Sequence, residues 1–187
     1  MTALVIDRRH PLRDGTERMI RDTYRLRHGA RLGQLPDLLA TLLSPDGLPA
    51  AACSIRFAEH GFFSTVYLNT SLEQALLSAT GRSFRPADIM EIGSLAAARP
   101  GNGFALVDAA IAFGRGHGKT IGIFTATDIL RRGLARAGRP PIDLGPALPE
   151  RLGAEAECWG RYYEMRPHVC ALIDSPDNAI RLARAAG

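Results

Sequence analysis

Residues 86–127 read PADIMEIGSLAAARPGNGFALVDAAIAFGRGHGKTIGIFTAT, in which apolar runs alternate with glycine-rich turns. The first run, Ile89 to Ala97, contains small and β-branched residues that favour a buried strand. Apolar residues then recur at helical spacing from Phe104 to Gly116. A second short apolar run, Thr120 to Ala126, is bounded by turn residues as a central strand is. The pattern predicts a strand, a turn at Arg99–Gly103, a helix and a second strand.

The turn in this unit is a candidate anion-binding site. A helix N-terminus leaves backbone N–H groups without partners and carries a partial positive charge. Glycines at Gly101 and Gly103 allow a phosphate to approach closely, and Arg99 precedes them. However, the turn has neither the Gly-Lys-Ser/Thr of a P-loop nor G-x-G-x-x-G spacing. The residues alone leave open whether it binds a ligand or is only a tight connection.

Length and composition predict an ordinary globular chain. With 187 residues, 46% hydrophobic and 22% charged, one domain spanning residues 1–187 is expected. No apolar run approaches the roughly 20 residues of a membrane span, and the N-terminal residues lack an export pattern. The three cysteines, Cys53, Cys158 and Cys170, are widely separated and are not spaced for metal binding. We therefore expect a cytoplasmic protein without a metal site.

The net charge of +4 comes almost entirely from arginine, because Lys119 is the only lysine. Arginines are dense over residues 8–31 and again over residues 131–139. Few aromatic residues lie among them, and no helix-turn-helix or zinc motif is present, so duplex nucleic acid is not the expected partner. Arginine also suits phosphate groups and acidic carrier proteins. A solvated arginine surface is the alternative.

The rest of the chain predicts an α/β fold with antiparallel strands in the middle and helices alternating with later strands. Thr16 is the predicted N-cap of the first helix, and Ser71 and Thr127 are predicted caps of later ones. The other predicted elements are a strand at residues 3–6, a short helix at 36–43, a hairpin of strands 48–58 and 62–69, helices at 71–80 and 128–137, a strand at 142–144, a final pair formed by 162–163 and 168–173, and a terminal helix at 176–186.

Four segments in order carry a resemblance to a known family. They are EIGSLA at residues 91–96, the glycine turn after it, FTAT at residues 124–127, and WGRYYE at residues 159–164 with Pro167. Together they resemble the thermostable hemolysin family, which is grouped with GNAT-type acyltransferases and is similar in layout to acyl-homoserine lactone synthases. The resemblance implies a GNAT-like fold with a mixed, mostly antiparallel central sheet and helices on both faces.

The resemblance also implies where an acyl donor binds. The phosphopantetheine arm of acyl-CoA or of an acyl carrier protein would lie along the first strand, at Gly93, Ser94 and Leu95. Its pyrophosphate would lie at the turn, formed by Arg99, Gly101, Asn102 and Gly103. The family turn is Arg/Gln-x-x-Gly-x-Gly/Ala, whereas this chain is one residue off, and Pro100 lacks an N–H donor. A carrier-bound acyl group is therefore an alternative to acyl-CoA.

Acyl transfer to an amine needs a base and a proton donor. Glu91 is the candidate base, because it is a carboxylate in an otherwise apolar strand. The alternative is a structural carboxylate paired with Arg56 or Arg27. Tyr162 and Tyr163 are the candidate donors, or else core aromatics. Predicted substrate-binding residues are Tyr24, Arg27, Arg56, Thr125, Thr127 and Trp159.

Three functions stay open at this point. The first is an N-acyltransferase that uses a small amine acceptor, as in secondary metabolism, with a homodimer as one possible assembly. The second is a non-catalytic module that binds an acyl group or a carrier protein. The third is a membrane-active hemolysin, against which stands the absence of a long basic amphipathic helix.

Overall fold

The computed structural model describes residues 1–99 and 101–174, which include seven strands in one twisted sheet. The strands are β1 (Thr2–Ile6), β2 (Leu38–Leu43), β3 (Pro49–Phe57), β4 (Ile89–Ala97), β5 (Ile121–Ala126), β6 (Ile142–Pro146) and β7 (His168–Ile173). Their order across the sheet is β1-β2-β3-β4-β5-β7-β6. Only β4 and β5 pair in parallel; every other neighbouring pair is antiparallel. The predicted mixed, mostly antiparallel sheet is confirmed.

In the described ranges, four α-helices lie on the two faces of this sheet, namely α1 (Arg13–His28), α2 (Leu72–Thr80), α3 (Asn102–Gly116) and α4 (Asp128–Arg136). Short 3-10 turns occupy Ala58–His60, Phe63–Tyr67, Pro86–Asp88, Pro149–Trp159 and Tyr162–Met165. The predicted caps of α2 and α4 are confirmed, since Ser71 accepts the N–H of Gln74 and Thr127 accepts that of Leu130. None of the described helices is both long enough and apolar enough to cross a bilayer.

Neighbouring residues of β4 and β5 point to opposite faces and so serve two separate cores. Ile89 and Ile123 pack with α2, whereas Ile92 and Phe124 pack with α3 and α4. The first of these faces also holds α1, whose Tyr24 packs with residues of β2, β3 and β4. Helices therefore cover both faces, as predicted.

The predicted helix at residues 36–43 is wrong, because this segment forms β2. Leucine and alanine have high helix propensity, but propensity is a weak prior that tertiary pairing overrides. Here β2 pairs with β1 on one side and β3 on the other, and four of its six residues are buried. A strand that is buried on both faces is a continuous apolar run. Periodicity alone cannot distinguish such a short run from a segment of a buried helix.

The predicted hairpin partner of β3, residues 62–69, is also wrong. Both edges of β3 are already occupied, by β2 through the turn at residues 45–47 and by β4. The segment instead forms the 3-10 turn Phe63–Tyr67, which lies against the sheet. This difference changes the functional site, as described below.

Two smaller predictions are also wrong. Helix α1 begins at Arg13, so Thr16 lies within its first turn and is completely buried instead of capping it. Tyr162 and Tyr163 lie in a 3-10 turn, because the edges of β7 are taken by β5 and β6. The predicted helix at residues 176–186 lies outside the described residues.

Candidate functional site

The ladder between β4 and β5 is short. Only Ile89–Glu91 pair with Ile121–Ile123. On its other edge β4 has a bulge. Gly93 lies opposite Ser54 and Ala96 lies opposite Ala52, so β4 advances by three residues where β3 advances by two. A bulge bends the strand and leaves the extra residue unpaired. Beyond Glu91 the two strands therefore separate, and a gap opens in the middle of the sheet.

The bulge has a backbone conformation that is uncommon for its sequence. Ser94 has a φ of +49°, in the left-handed region that few non-glycine residues adopt. Gly93 precedes it, and a Cβ there would lie 2.8 Å from Ser54 Oγ. Such residues occur where the surrounding structure fixes them, often at binding sites.

Two cavities meet at this gap. The first, about 550 Å³, lies on the side of α3 and α4, and the second, about 370 Å³, lies on the side of α1. Five residues line both: Tyr24, Gly93, Ser94, Thr125 and Tyr162. They mark the place where a ligand in one cavity can contact a ligand in the other.

The first cavity is apolar along most of its length and polar at one end. Its apolar wall comes from Leu95, Phe104, Val107, Ile111, Phe124 and Leu134. Its polar end lies at the start of α3, where Arg99, Gly101 and Gly103 line it. Helix α3 has no side-chain cap, so the N–H groups of its first turn are available to an anion. Asn102 does not line the cavity, since its side chain donates to the Ala50 carbonyl at 3.4 Å.

Glu91 lies in the second cavity and is only 3% exposed. Its Oε1 accepts hydrogen bonds from the N–H and the hydroxyl of Ser64, at 2.7 and 2.6 Å, and its Oε2 accepts the N–H of Phe63 at 2.7 Å. A carboxylate has about four acceptor positions. One position on Oε2 is thus left for a ligand.

Arg56 lies directly across from Glu91 in the β3–β4 pair. Its Nε is 3.9 Å from Glu91 Oε2, which is an ion pair without a hydrogen bond. The alternative pairing with Arg27 does not occur, because Arg27 is exposed and donates to the Ala97 carbonyl at 2.9 Å. Arg27 lines the mouth of the first cavity instead.

A short chain of hydroxyls connects Glu91 to the gap. Ser64 Oγ lies 2.9 Å from Thr125 Oγ1. Because Ser64 has one hydroxyl proton and donates it to Glu91, Thr125 is the donor in this pair. Thr125 lines both cavities, whereas Thr127 lines only the first and caps α4. Sequence reasoning missed Ser64, although the polar pair Ser64-Thr65 interrupts the apolar pattern that predicted a strand there.

Aromatic side chains form one wall of the site. Tyr24 stacks on Tyr162 at 6.1 Å between ring centres, and Trp159 lies 5.3 Å from Tyr162. The Tyr162 hydroxyl donates to the Thr125 carbonyl at 3.4 Å, and burial raises its pKa well above the usual value. Tyr163 lines neither cavity, and its hydroxyl pairs with that of Tyr67 at 2.8 Å.

The described residues contain no group of three or more His, Cys, Asp or Glu side chains placed to hold a metal ion. Cys53 and Cys170 are buried and Cys158 is exposed, with no disulfide among them. Burial raises the pKa of Cys53 and of Cys170 to about 12, so neither has the character of a nucleophilic thiolate.

Three solved structures share this architecture at low sequence identity. The acyl-homoserine lactone (AHL) synthase LasI has a TM-score of 0.60 and 12% identity, over 93% of this chain and 90% of that one. FeeM, an N-acyl amino acid synthase from uncultured soil microbes, has a TM-score of 0.60 and 15% identity, over 92% and 90%. The NatC complex, bound to Gag peptide and CoA, has a TM-score of 0.52 and 12% identity, over 92% and 98%. At these identities the likeness establishes the fold.

No curated protein matches the sequence. A model of the family described as thermostable hemolysin matches residues 6–175, which is most of the chain. That match covers the splayed strands, both cavities and the aromatic wall. The chain therefore belongs to the thermostable hemolysin family, and it has a GNAT-like acyltransferase fold.

Proposed function

We propose that the protein transfers an acyl group from a thioester, either acyl-CoA or an acyl carrier protein, to a small amine. The observation that carries this proposal is the gap between β4 and β5, where an apolar cavity meets a charged one. That arrangement suits acyl transfer, since an apolar acyl chain and a polar nucleophile can reach one carbonyl carbon from different sides.

The donor fits the first cavity. Its phosphates would lie at the uncapped start of α3, beside Arg99. Its pantetheine arm would lie in the gap, where Ser94 and Leu95 have no ladder partner in β3 or β5, so their backbone groups can bond to it. The acyl chain would lie on the apolar wall, gaining about 0.8 kcal/mol per buried methylene.

The acceptor fits the second cavity, and Glu91 is the proposed base. An ammonium group beside Oε2 gives one proton to Glu91, and the free amine attacks the thioester carbonyl carbon. A C–N bond forms, and the carbonyl electron pair moves to oxygen, which an unpaired N–H of the bulge can stabilise. When the carbonyl re-forms, the C–S bond breaks, the hydroxyl proton of Tyr162 passes to the sulfur to give a thiol, and the second proton of the nitrogen replaces it on the Tyr162 oxygen. Glu91 then releases the first proton to solvent.

Tyr162 is the proposed donor to the departing sulfur. It lines both cavities, and its raised pKa keeps the hydroxyl protonated at neutral pH. The hydroxyl chain from Thr125 through Ser64 gives Glu91 a fixed orientation toward the gap. Tyr163 has no role in this proposal beyond holding Tyr67.

The test is a titration with acyl-CoAs of increasing chain length, read by thermal shift, followed by mass spectrometry with a mixture of amines. We expect stabilisation that grows with chain length and an amide product. The variant Phe104→Ala removes part of the apolar wall and should weaken the binding of long-chain acyl-CoAs more than that of acetyl-CoA. Binding without any amide product would favour the non-catalytic module. No binding of CoA-linked or carrier-linked donors would refute the proposal.

A further inference from the structure

Arg56 differs from the other partly buried arginines, because its side chain has no hydrogen-bond acceptor within the described part of the chain. Among residues 1–99 and 101–174, five arginine side chains are at least partly buried. Four of them donate hydrogen bonds to carboxylates or carbonyls: Arg13, Arg21, Arg131 and Arg139. Arg56 donates none, and its nearest acidic atom is 3.9 Å away. A guanidinium has five N–H donors, and those of Arg56 are left for solvent or a ligand.

The Arg56 side chain is accessible to a ligand in the second cavity. It lines that cavity as well as a neighbouring one of about 290 Å³, and 29% of the side chain is exposed. The N–H groups of Phe63 and Ser64 and the Ser64 hydroxyl hold the Glu91 carboxylate, and Arg56 makes no hydrogen bond to it. The arrangement leaves a cation beside Glu91 whose hydrogen bonds a ligand can complete.

Arg56 and Glu91 together present one positive and one negative group side by side. An α-amino acid carries an ammonium and a carboxylate on the same carbon, with the complementary charges at a similar separation. The ammonium can occupy the remaining acceptor position on Glu91 Oε2, while the carboxylate takes two parallel N–H bonds from Arg56. This placement puts the amine, and not the carboxylate, beside the proposed base.

The rest of the cavity indicates the side chain of that amino acid. Its wall is formed by Tyr24, Phe63, Tyr67 and Trp159, and the hydroxyl of Tyr67 is already paired with Tyr163. Such a wall accommodates an apolar or aromatic side chain at low cost in desolvation.

We infer that the acceptor is an α-amino acid with an apolar side chain, bound through its carboxylate by Arg56. The inference deepens the proposed function and rests on it for the transfer step. Binding of the amino acid itself is a separate claim and can be measured without an acyl donor.

The experiment compares phenylalanine with 2-phenylethylamine, which lacks the carboxylate, and with phenylalanine methyl ester, which masks its charge. Calorimetry, with and without coenzyme A, measures binding, and mass spectrometry with an acyl-CoA measures transfer. We expect phenylalanine to bind and to be acylated with a KM ~10- to 100-fold lower than either analogue, as the loss of charged hydrogen bonds implies. A wider set of apolar amino acids replaces phenylalanine if its ring does not fit.

The variants Arg56→Gln and Arg56→Lys test whether recognition of the amino-acid carboxylate depends on Arg56. Arg56→Gln should reduce the preference for the amino acid over 2-phenylethylamine, measured as the ratio of their KM values, ~10- to 100-fold, and Arg56→Lys should recover part of this preference. Arg18→Gln, an exposed arginine outside both cavities, is the control. Equal use of the three compounds overturns the inference but keeps the transferase. Arg56-dependent binding of the amino acid without transfer keeps the inference and overturns the transferase. No binding of any amino acid overturns the inference.

Discussion

At the scale of single residues, Glu91 is both a buried, hydrogen-bonded carboxylate and the base that we propose. Glu91→Gln should lower turnover ~10²–10⁴-fold, as the loss of a general base does. It should also lower the free energy of unfolding by about 1–3 kcal/mol, because an amide cannot accept all three hydrogen bonds and one buried N–H loses its partner. Steady-state rates and denaturant unfolding measure the two effects.

The control for this variant is Glu59→Gln, which makes the same change at an exposed carboxylate and should alter neither quantity. A Glu91→Gln protein whose folded fraction turns over at the wild-type rate would make Glu91 purely structural. Sequence reasoning found Glu91 because a charged residue in an apolar strand stands out. It could not find the backbone N–H groups of Phe63 and Ser64, since these lie 28 and 27 residues away along the chain.

The cysteines give a second prediction at this scale. A thiol reagent at pH 8 should modify only Cys158 in the folded protein and all three cysteines in denaturant. Burial raises the pKa of Cys53 and Cys170 from 9.0 to about 12. Since the folded value lies above the unfolded one, their contribution to stability is complete below pH 9 and is lost as the pH rises toward 12. Rapid modification of two or three thiols without denaturant would contradict the assignment of both as buried.

At the scale of elements, the aromatic wall depends on one glycine. Gly160 has φ 53° and ψ −126°, and a Cβ there would lie 2.2 Å from the His28 carbonyl at the end of α1. The same carbonyl accepts the N–H of Arg161 at 2.7 Å. This contact brings the segment with Trp159 and Tyr162 against α1.

Gly160→Ala should therefore destabilise the protein by more than the ~1–3 kcal/mol of backbone strain alone. Gly153→Ala is the matched control, because Gly153 has nearly the same φ and ψ, 54° and −130°, and a methyl group added there would meet nothing within 4 Å. Thermal unfolding of both variants, with tryptophan fluorescence as the probe, compares them. Equal losses of stability would show that the approach to His28 is unimportant.

Elements with strong local signals were predictable, and elements fixed by their neighbours were not. Ser71 and Thr127 cap helices in the predicted positions, because the capping side chain and the helix lie within four residues. By contrast, β2 and the turn at residues 63–67 depend on which sheet edges are free, and a local pattern does not carry that information. The bulge at Ser94 is of the same kind, since its register is set by β3.

At the scale of the whole molecule, the arginine-rich surface is less available than the sequence predicts. Within the N-terminal group, four arginines form ion pairs with Asp or Glu: Arg8, Arg13, Arg21 and Arg25. In the second group Arg131 pairs with Asp128 and Arg139 with Asp108. The exposed arginines that line the first cavity are instead Arg27 and Arg99.

We therefore expect an acidic acyl carrier protein to be the better donor at low salt and to lose that advantage as salt rises, since exposed charges are screened within ~10 Å at 0.1 M. Rates with one acyl group on CoA and on a carrier protein, at two ionic strengths, measure this. Arg27→Gln combined with Arg99→Gln should reduce the preference for the carrier, and Arg151→Gln, exposed and outside both cavities, should not. A preference for CoA that is indifferent to salt would refute the expectation.

The short ladder between β4 and β5 also has a mechanical consequence. Three residue pairs join the part of the sheet formed by β1 to β4 with the part formed by β5, β7 and β6, so few backbone hydrogen bonds connect the two parts. The pantetheine arm of the donor, lying in the gap, would connect the two parts of the sheet as an added strand does. Hydrogen exchange at residues 92–95 and 124–126 should slow when donor binds, while exchange in β3 stays the same. When the thiol product leaves, the two parts of the sheet would again be joined only by the three pairs of β4 and β5, and the next donor could enter the gap.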